Sequence, residues 1–427
     1  MPAHLPSSLP DWLAYIEQVH PRAIEMGLDR VRAVQRAMGL TPSFPILTVG
    51  GTNGKGSACA MLESILHEAG YRVGCYTSPH LLRYNERIRL AREEARDDQI
   101  ADALRAVEAA RGDTPLTYFE FSTLAAMWLF VQQRADCAVL EVGLGGRLDA
   151  VNVFDADCAM VMSVALDHME YLGDTREAIG REKAGIMRGG RPAVCADADP
   201  PASLTEHARE IGAQLLVQGR DFDFEAQPRQ WRYRGPAGQR HGLPYPALRG
   251  RYQLGNAAAC LAALDAVRAV LPVSAGDIRS GLLKTENPGR FQVLPGRPLV
   301  VLDVAHNPHA AAVLAATLRE LPGKGRAIAV FGMLKDKDIA GVIGCMKDAV
   351  DEWLIADIDS PRGADASALR AALAGAAVAA PVEEYRTVDE AYRVACERAR
   401  DDDKIVVFGS FYTVAAVMAA RARRSDR

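Results

Sequence analysis

The 427-residue chain contains no Cys-x-x-Cys pair. Its eight cysteines stand singly, at Cys59, Cys75, Cys137, Cys158, Cys195, Cys260, Cys345 and Cys396. Most fall in apolar or helical stretches, which argues for buried free thiols over disulfides or zinc ligands. No apolar run reaches the roughly 20 residues that cross a bilayer, so no membrane partner is expected. The opening residues, Met1-Pro2-Ala3-His4-Leu5-Pro6, lack the charged-then-apolar pattern of a secretory signal. A cytoplasmic protein is expected. Excess positive charge is missing too: the formal net charge is −4, which points away from nucleic acid. There is no repeat at a fixed period and no low-complexity tract. What remains is 49% hydrophobic and 24% charged, as in ordinary globular proteins. The length exceeds what one core usually holds, so two domains are expected.

The most informative stretch is 46–57. A short apolar run, 46–49, reads as a buried strand. It breaks into Gly50, Gly51, Gly54 and Gly56, with Lys55 and Ser57 among them. A helical pattern follows, with Met61, Leu62, Ile65, Leu66 and Ala69 on one spacing. Strand, glycine loop and helix start together make an anion site. Backbone N–H groups converge on phosphate oxygens, the helix N-terminus adds partial positive charge, and the lysine reaches the terminal phosphates. The Ser57 hydroxyl suits a metal that bridges those phosphates. The spacing departs from the usual P-loop. Three residues separate Gly50 from Gly54-Lys55, and Gly56 intervenes before Ser57.

Other chemistry-bearing residues fall at the ends of predicted strands. Residues 71–76 read as a strand ending in Thr77-Ser78-Pro79-His80. Residues 138–142 read as a strand with Glu141 inside the apolar run. A buried carboxylate needs a cation or a hydrogen-bonding partner, so a metal or a neighbouring arginine is expected there. Residues 159–165 read as a strand leading to Asp167-His168. The glycine loop, Ser78, Glu141 and His168 therefore share the carboxyl edge of a parallel sheet, where ligands bind.

Between these strands lie helical patterns. Residues 11–38 read as helical with a break near Gly27, where Leu28, Asp29 and Arg30 set a charged pair beside apolar residues. Thr117-Tyr118-Phe119-Glu120 opens a helix that runs to about residue 133. Its aromatics and carboxylate either cap and pack, or stack on a flat ring and accept its N–H groups. A helix from Asp174-Thr175-Arg176-Glu177, with capping-box spacing, puts Ile179, Lys183, Ile186 and Met187 on one face. Lys183 on that apolar stripe either snorkels or is chemically modified. Residues 191–250 read as a small β excursion. Asn256 stands at the start of an alanine-rich helix, 257–270, where it caps or contacts a base. Residues 285–298 hold three prolines and two glycines and read as a linker. Beyond it, strands 299–304, 326–331, 353–357 and 404–408 alternate with helices 309–320, 337–349, 366–376, 388–400 and 411–423. That is a second parallel α/β domain.

Taken in order, these stretches resemble the folate branch of the Mur ligase superfamily, the folylpolyglutamate synthases and dihydrofolate synthases. The residues that carry the resemblance span about 27–412. They are Gly51 to Ser57, Thr77 to His80, Glu141-Val142-Gly143-Leu144-Gly145-Gly146-Arg147-Leu148-Asp149, Asp167-His168, Glu182 to Ile186, Asn287 to Gln292, Asp303 to Pro308, and Phe408-Gly409-Ser410. The resemblance implies an α/β fold of two domains. The first, 1–288, would be a P-loop-type ATPase domain with a mostly parallel sheet and the β excursion. The second, 289–427, would be a Rossmann-like α/β domain.

The resemblance also implies roles. ATP would be held by Gly54, Lys55, Gly56, Ser57, Asn256, Arg290 and Asp303, between the domains. Two magnesium ions, with a monovalent cation as an open option, would use Ser57, Ser78, Glu141, His168 and an N-carboxylated Lys183. Lys55, His168 and Lys183 would be catalytic. Dihydropteroate would lie against Gly27, Leu28, Asp29, Arg30, Thr117, Tyr118, Phe119, Glu120 and Leu148, and L-glutamate near His306 and Ser410. The implied activity is an ATP-dependent amide ligase acting on 7,8-dihydropteroate, reduced folates and L-glutamate as a cytoplasmic monomer. Val304 and Tyr412 depart from the glycine and histidine expected at those positions. A peptidoglycan-type Mur ligase would share the chemistry but would not need the dihydropteroate stretches. A P-loop switch protein would need neither a carbamate lysine nor a second α/β domain.

Overall fold

The structure, a computed structural model, describes residues 6–425 apart from 23, 322 and 324. It divides into two compact units. One takes the chain up to Ala247 and Gln253–Glu286; the other takes Leu248–Tyr252 and Asn287–Arg427.

The first unit begins with α1 (Leu9–Val19), capped by the Ser8 hydroxyl, and α2 (Asp29–Ala37). Then come β1 (Ile46–Gly50), α3 (Lys55–Glu68), β2 (Val73–Tyr76), β3 (Ile88–Leu90) and β4 (Glu93–Glu94). Next are α4 (Asp97–Arg111), α5 (Tyr118–Gln132), β5 (Cys137–Glu141), β6 (Cys158–Val161), α6 (Met169–Leu172) and α7 (Arg176–Ala184). β7 (Pro192–Cys195), α8 (Ala202–Ile211) and β8 (Gln214–Val217) complete the sheet, whose order is β4-β3-β2-β5-β1-β6-β7-β8. β1 lies between β5 and β6, parallel to both. All five residues of β1 and of β5 are buried, as a strand covered on both faces requires. β1 and α3 are thus fixed at the centre, and the loop between them opens at the sheet's carboxyl edge.

Two differences from the sequence reading concern this sheet. The antiparallel edge β3–β4 was not expected; its strands are three and two residues long, too short to show alternation. Residues 192–217 extend the main sheet in parallel, so the β excursion is smaller than 191–250. It comprises β9 (Asp223–Ala226), β10 (Trp231–Gly235) and β11 (Gly238–Leu243), an antiparallel sheet of its own.

α9 (Tyr252–Ala266) and α10 (Ala275–Leu283) close the unit. α9 starts earlier than the sequence suggested, so Asn256 lies inside the helix and not at its cap. α3 is buried on nearly every side, which marks a helix enclosed by others. Gly281 of α10 permits its closest approach: a Cβ there would stand 2.5 Å from Ile65 Cα. Backbone cannot yield as a side chain does. Gly281→Ala is therefore expected to destabilise the protein by about 2–3 kcal/mol, read as a lower urea midpoint at unchanged slope.

The second unit contains β12 (Gln292–Leu294), β13 (Leu299–Leu302), α11 (Pro308–Glu320), β14 (Ala327–Phe331), α12 (Ile339–Met346) and β15 (Glu352–Ala356). It continues with α13 (Ala366–Gly375), β16 (Val382–Tyr385), α14 (Val388–Arg398), β17 (Lys404–Phe408) and α15 (Phe411–Ser425). The sheet order is β12-β13-β17-β14-β15-β16, parallel except for β12 against β13. Part of the proline-rich stretch is thus a strand, and β16 was missed. β16 carries Glu383 and Glu384 at a half-exposed edge, so no apolar run signals it. Trp353, Phe331 and Phe408 pack together at the core, with Trp353 edge-on to both phenylalanines.

Candidate active site

The glycine loop turns on two positive φ angles, +137° at Gly51 and +88° at Gly54, a region that glycine enters without steric cost. Space also demands them. A Cβ on Gly54 would stand 2.9 Å from Asn256 Oδ1, and one on Gly51 3.0 Å from the Met162 backbone nitrogen. The loop is clamped to the segment after β6. Thr52 N donates to Ser163 O, Asn53 N to Ser163 Oγ, and Thr52 Oγ1 to Ala165 O. Gly54 caps α3, which starts at Lys55. The Lys55 ammonium folds back onto Gly51 O at 3.0 Å and Thr52 O at 3.2 Å. Ser57 is buried, and its Oγ accepts from Gln253 Nε2 at 3.3 Å; Gln253 Oε1 in turn accepts from Asn256 Nδ2 at 2.8 Å. Asn256 therefore belongs to the loop's surroundings, from within a helix.

Ser78 and Glu141 come together because β2 and β5 are neighbours in parallel register. Ser78 N donates to Glu141 Oε2 at 3.1 Å, and the carboxylate is 3% exposed. Beyond β6, His168 takes a left-handed backbone (φ +50°) as the cap of α6, next to Asp167.

Lys183 is 3% exposed and so does not snorkel. Its amine makes no hydrogen bond or ion pair to a described residue. Burial pushes its pKa down to about 7; the Lys55 charge pushes the same way, while Asp167 and Asp149 oppose. The Lys55 charge is thus felt at the Lys183 amine. An amine held near neutrality is the nucleophilic form. Asp149, also buried, is pushed up to about 7 by desolvation although Leu144 N, Val151 N and Lys55 all favour its anion. Gly146 lets the 143–149 loop rest on α7, since a Cβ there would stand 2.7 Å from Glu182 O.

A second group forms around the α5 N-terminus. Thr117 and Glu120 make a reciprocal capping box, worth two otherwise unpaired N–H groups. Arg30 forks onto the Glu120 carboxylate at 3.0 and 3.3 Å. Phe119 packs against Tyr76, at 5.8 Å between centroids, and on Gly143, where a Cβ would stand 2.6 Å from its ring. Gly27 N donates to Leu148 O at 3.3 Å, which joins the 27–30 stretch to the 143–149 loop. Leu28 packs on the core behind them. Asp29 stays apart: its side chain is fully exposed, 3.9 Å from Arg32. Tyr118 faces Arg87, whose guanidinium carbon lies 5.4 Å from its ring centroid.

In the second unit the residues named from sequence meet where β13 and β17 end side by side. Asp303 is buried and accepts from Phe291 N and Ala305 N, each at 2.8 Å. Burial pushes its pKa up, opposed first by Arg290. Arg290 stacks on Phe411 at 5.0 Å, and His306 lies 6.3 Å from the same ring. Ser410 Oγ accepts from Tyr412 N. Val304 is fully buried, whereas Tyr412 is half exposed.

Residues 49–264 match the Mur ligase middle domain, and 289–411 match the Mur ligase glutamate ligase domain. The chain is 45% identical to dihydrofolate synthase/folylpolyglutamate synthase of Escherichia coli (strain K12), over 98% of this chain and 97% of that protein. It belongs to the dihydrofolate synthase/folylpolyglutamate synthase family. Solved structures agree. E. coli FolC in complex with DHPP and ADP superposes at a TM-score of 0.94 with 44% identity, covering 98% of this chain and 99% of that one. A bifunctional folylpolyglutamate synthase/dihydrofolate synthase with Mn, AMPPNP and L-glutamate bound gives 0.90 and 47% identity, covering 97% and 98%. As a member of this family, the protein is an ATP-dependent ligase that forms amides.

Several residues of the site escaped the sequence reading. Gln253 and Ser163 carry no motif; only folding brings α9 and the segment after β6 to the loop. Asp149 was visible as a motif member, but not as a buried acid beside two lysines. Arg87 was not singled out, and His80 figured only as the last residue of the Thr77–His80 turn.

Proposed function

We propose that this protein joins L-glutamate to 7,8-dihydropteroate and adds further glutamates to reduced folates through an acyl phosphate. The observation that carries the reading is the buried Lys183 amine on α7, packed under the 143–149 loop, with burial holding its pKa down. A lysine so placed is costly as an ammonium. It becomes useful once its nitrogen bonds CO₂ and loses a proton, which makes a carbamate with two oxygen donors.

That donor set fits a hard cation. Ser57, Ser78 and Glu141 offer oxygen, His168 offers nitrogen, and the Lys183 carbamate adds oxygen, as magnesium prefers. On this reading the carbamate oxygens complete the donor set. When bound, magnesium (two ions on this reading) supplies charge that neutralises phosphoryl oxygens and orients the acceptor carboxylate.

The chain's own residues do the rest. The loop N–H groups and Lys55 bind the ATP phosphates, and Lys55 leaves the Gly51 and Thr52 carbonyls to do so. Asn256, Arg290 and Asp303 are the residues proposed to contact the nucleotide. The substrate carboxylate attacks the γ-phosphorus in line and ADP leaves; Lys55 offsets charge on the transferring group. The glutamate amine then attacks the acyl carbon, and phosphate departs as the amide forms. Phe119 and Tyr118 supply flat apolar surface for the pterin and aryl rings, with Gly27, Leu28, Asp29, Arg30, Thr117, Glu120 and Leu148 around them. Relatives in complex with DHPP and ADP, and with L-glutamate, support this choice of ligands. His306 and Ser410 are proposed on the glutamate side.

The test is to supply ATP and glutamate with dihydropteroate or tetrahydrofolate, against a muramyl peptide with an amino acid. The expected result is ADP release matched by amide product in the first two only. ADP release without any amide would overturn the reading.

A further inference from the structure

A folate differs from dihydropteroate by a charge. Its glutamyl tail carries an α-carboxylate that takes no part when the γ-carboxylate is extended. Dihydropteroate has no such group. A site that accepts both needs a cation for the idle carboxylate, separate from the phosphate-binding lysine.

Arg87 has the required features. It ends a short 3₁₀ turn, Tyr84–Arg87, just before β3. Its guanidinium carbon lies 5.5 Å from the Tyr84 ring centroid and 5.4 Å from that of Tyr118. Nε donates to His80 Nδ1 at 2.8 Å, so that nitrogen carries no proton. Neither contact neutralises the cation. Nearby arginines are neutralised: Arg89 by Glu63, Arg30 by Glu120 and Arg111 by Glu108. Arg87 pairs with no carboxylate among the described residues, and its terminal nitrogens make no hydrogen bond to any of them.

Its place matters as much as its charge. Tyr118 precedes Phe119 and Glu120 of the ring-binding group, and His80 follows Ser78 by two residues. Arg87 thus adjoins both the Thr117–Glu120 group, through Tyr118, and the turn that carries Ser78, through His80. The two rings and the His80 bond hold the guanidinium while leaving its terminal donors available, and a forked donor suits a carboxylate.

We infer that Arg87 recognises the α-carboxylate of a folate's glutamyl tail and so determines specificity for the elongation reaction. The inference rests on the reading of Thr117–Glu120 as the ring site. The test crosses a variant with a substrate change. Arg87→Met is expected to lower kcat/KM for tetrahydrofolate on the order of 30-fold more than for dihydropteroate, through KM. Wild type should lose a similar factor on tetrahydrofolate bearing an α-carboxamide, and the variant should lose little further. Arg87→Lys should recover part of the loss. Equal losses on both substrates, or an α-carboxamide penalty as large in the variant as in wild type, would overturn the inference. The wild-type measurement stands even where the variant folds poorly. If wild type forms an amide with neither substrate, the parent reading fails instead.

Discussion

Replacing Lys183 with alanine should abolish amide formation, by about a thousandfold or more, or about 4 kcal/mol in the barrier. ATP should still bind within about threefold of the wild-type dissociation constant. The loss follows from chemistry at one nitrogen. Lys183 is buried, unpaired among the described residues and held near neutrality, so it can take up CO₂; alanine cannot. High bicarbonate should therefore not rescue the variant. Wild type supplied with ¹³C-bicarbonate should show a carbamate carbon signal that Lys183→Ala lacks. Stability gives an independent check. Removing a buried amine that costs free energy when charged should leave the thermal midpoint unchanged or raised, so inactivity would not trace to misfolding. Near wild-type turnover, or a ¹³C signal that persists in the variant, would sink the carbamate.

Lys55→Ala should fail by another route. Here kcat/KM for ATP should fall at least a hundredfold, about 2.7 kcal/mol, because a cation is lost where phosphoryl charge develops. Nucleotide affinity should weaken as well, which separates this variant from Lys183→Ala in a calorimetric titration. The carbonyls of Gly51 and Thr52 that hold Lys55 would gain water, so little destabilisation is expected. A rate within tenfold of wild type, roughly 1.4 kcal/mol, would mean that the glycine loop is not the phosphate site.

Much of the site was legible before folding because it is local. The loop from Gly50 to Ser57 reads as strand, turn and helix cap in one short stretch. Ser78 and His168 follow strands and Glu141 ends one, and the period of parallel α/β units places strand ends at one edge. Misreadings came where local pattern is silent. β3, β4 and β16 are short, and two of them are polar edge strands; what defines them is a neighbour's hydrogen bonds, not alternation. Residues 192–217 looked like part of an excursion because only pairing with β6 assigns β7 to the main sheet.

The sequence by itself determined the order of the main strands and helices, the glycine loop, and the identity of the side chains at the sheet's edge. Those features are encoded within a few residues of one another, in glycine spacing, apolar periodicity and cap residues. Only the tertiary structure decided which of those side chains meet. The strand order β2-β5-β1-β6 sets Ser78 against Glu141 across 63 residues. The packing of α7 beneath the 143–149 loop buries Lys183. Burial then drives its amine from ammonium toward neutrality. Desolvation and through-space charge depend on what surrounds an atom in three dimensions, and linear spacing carries almost no information about that.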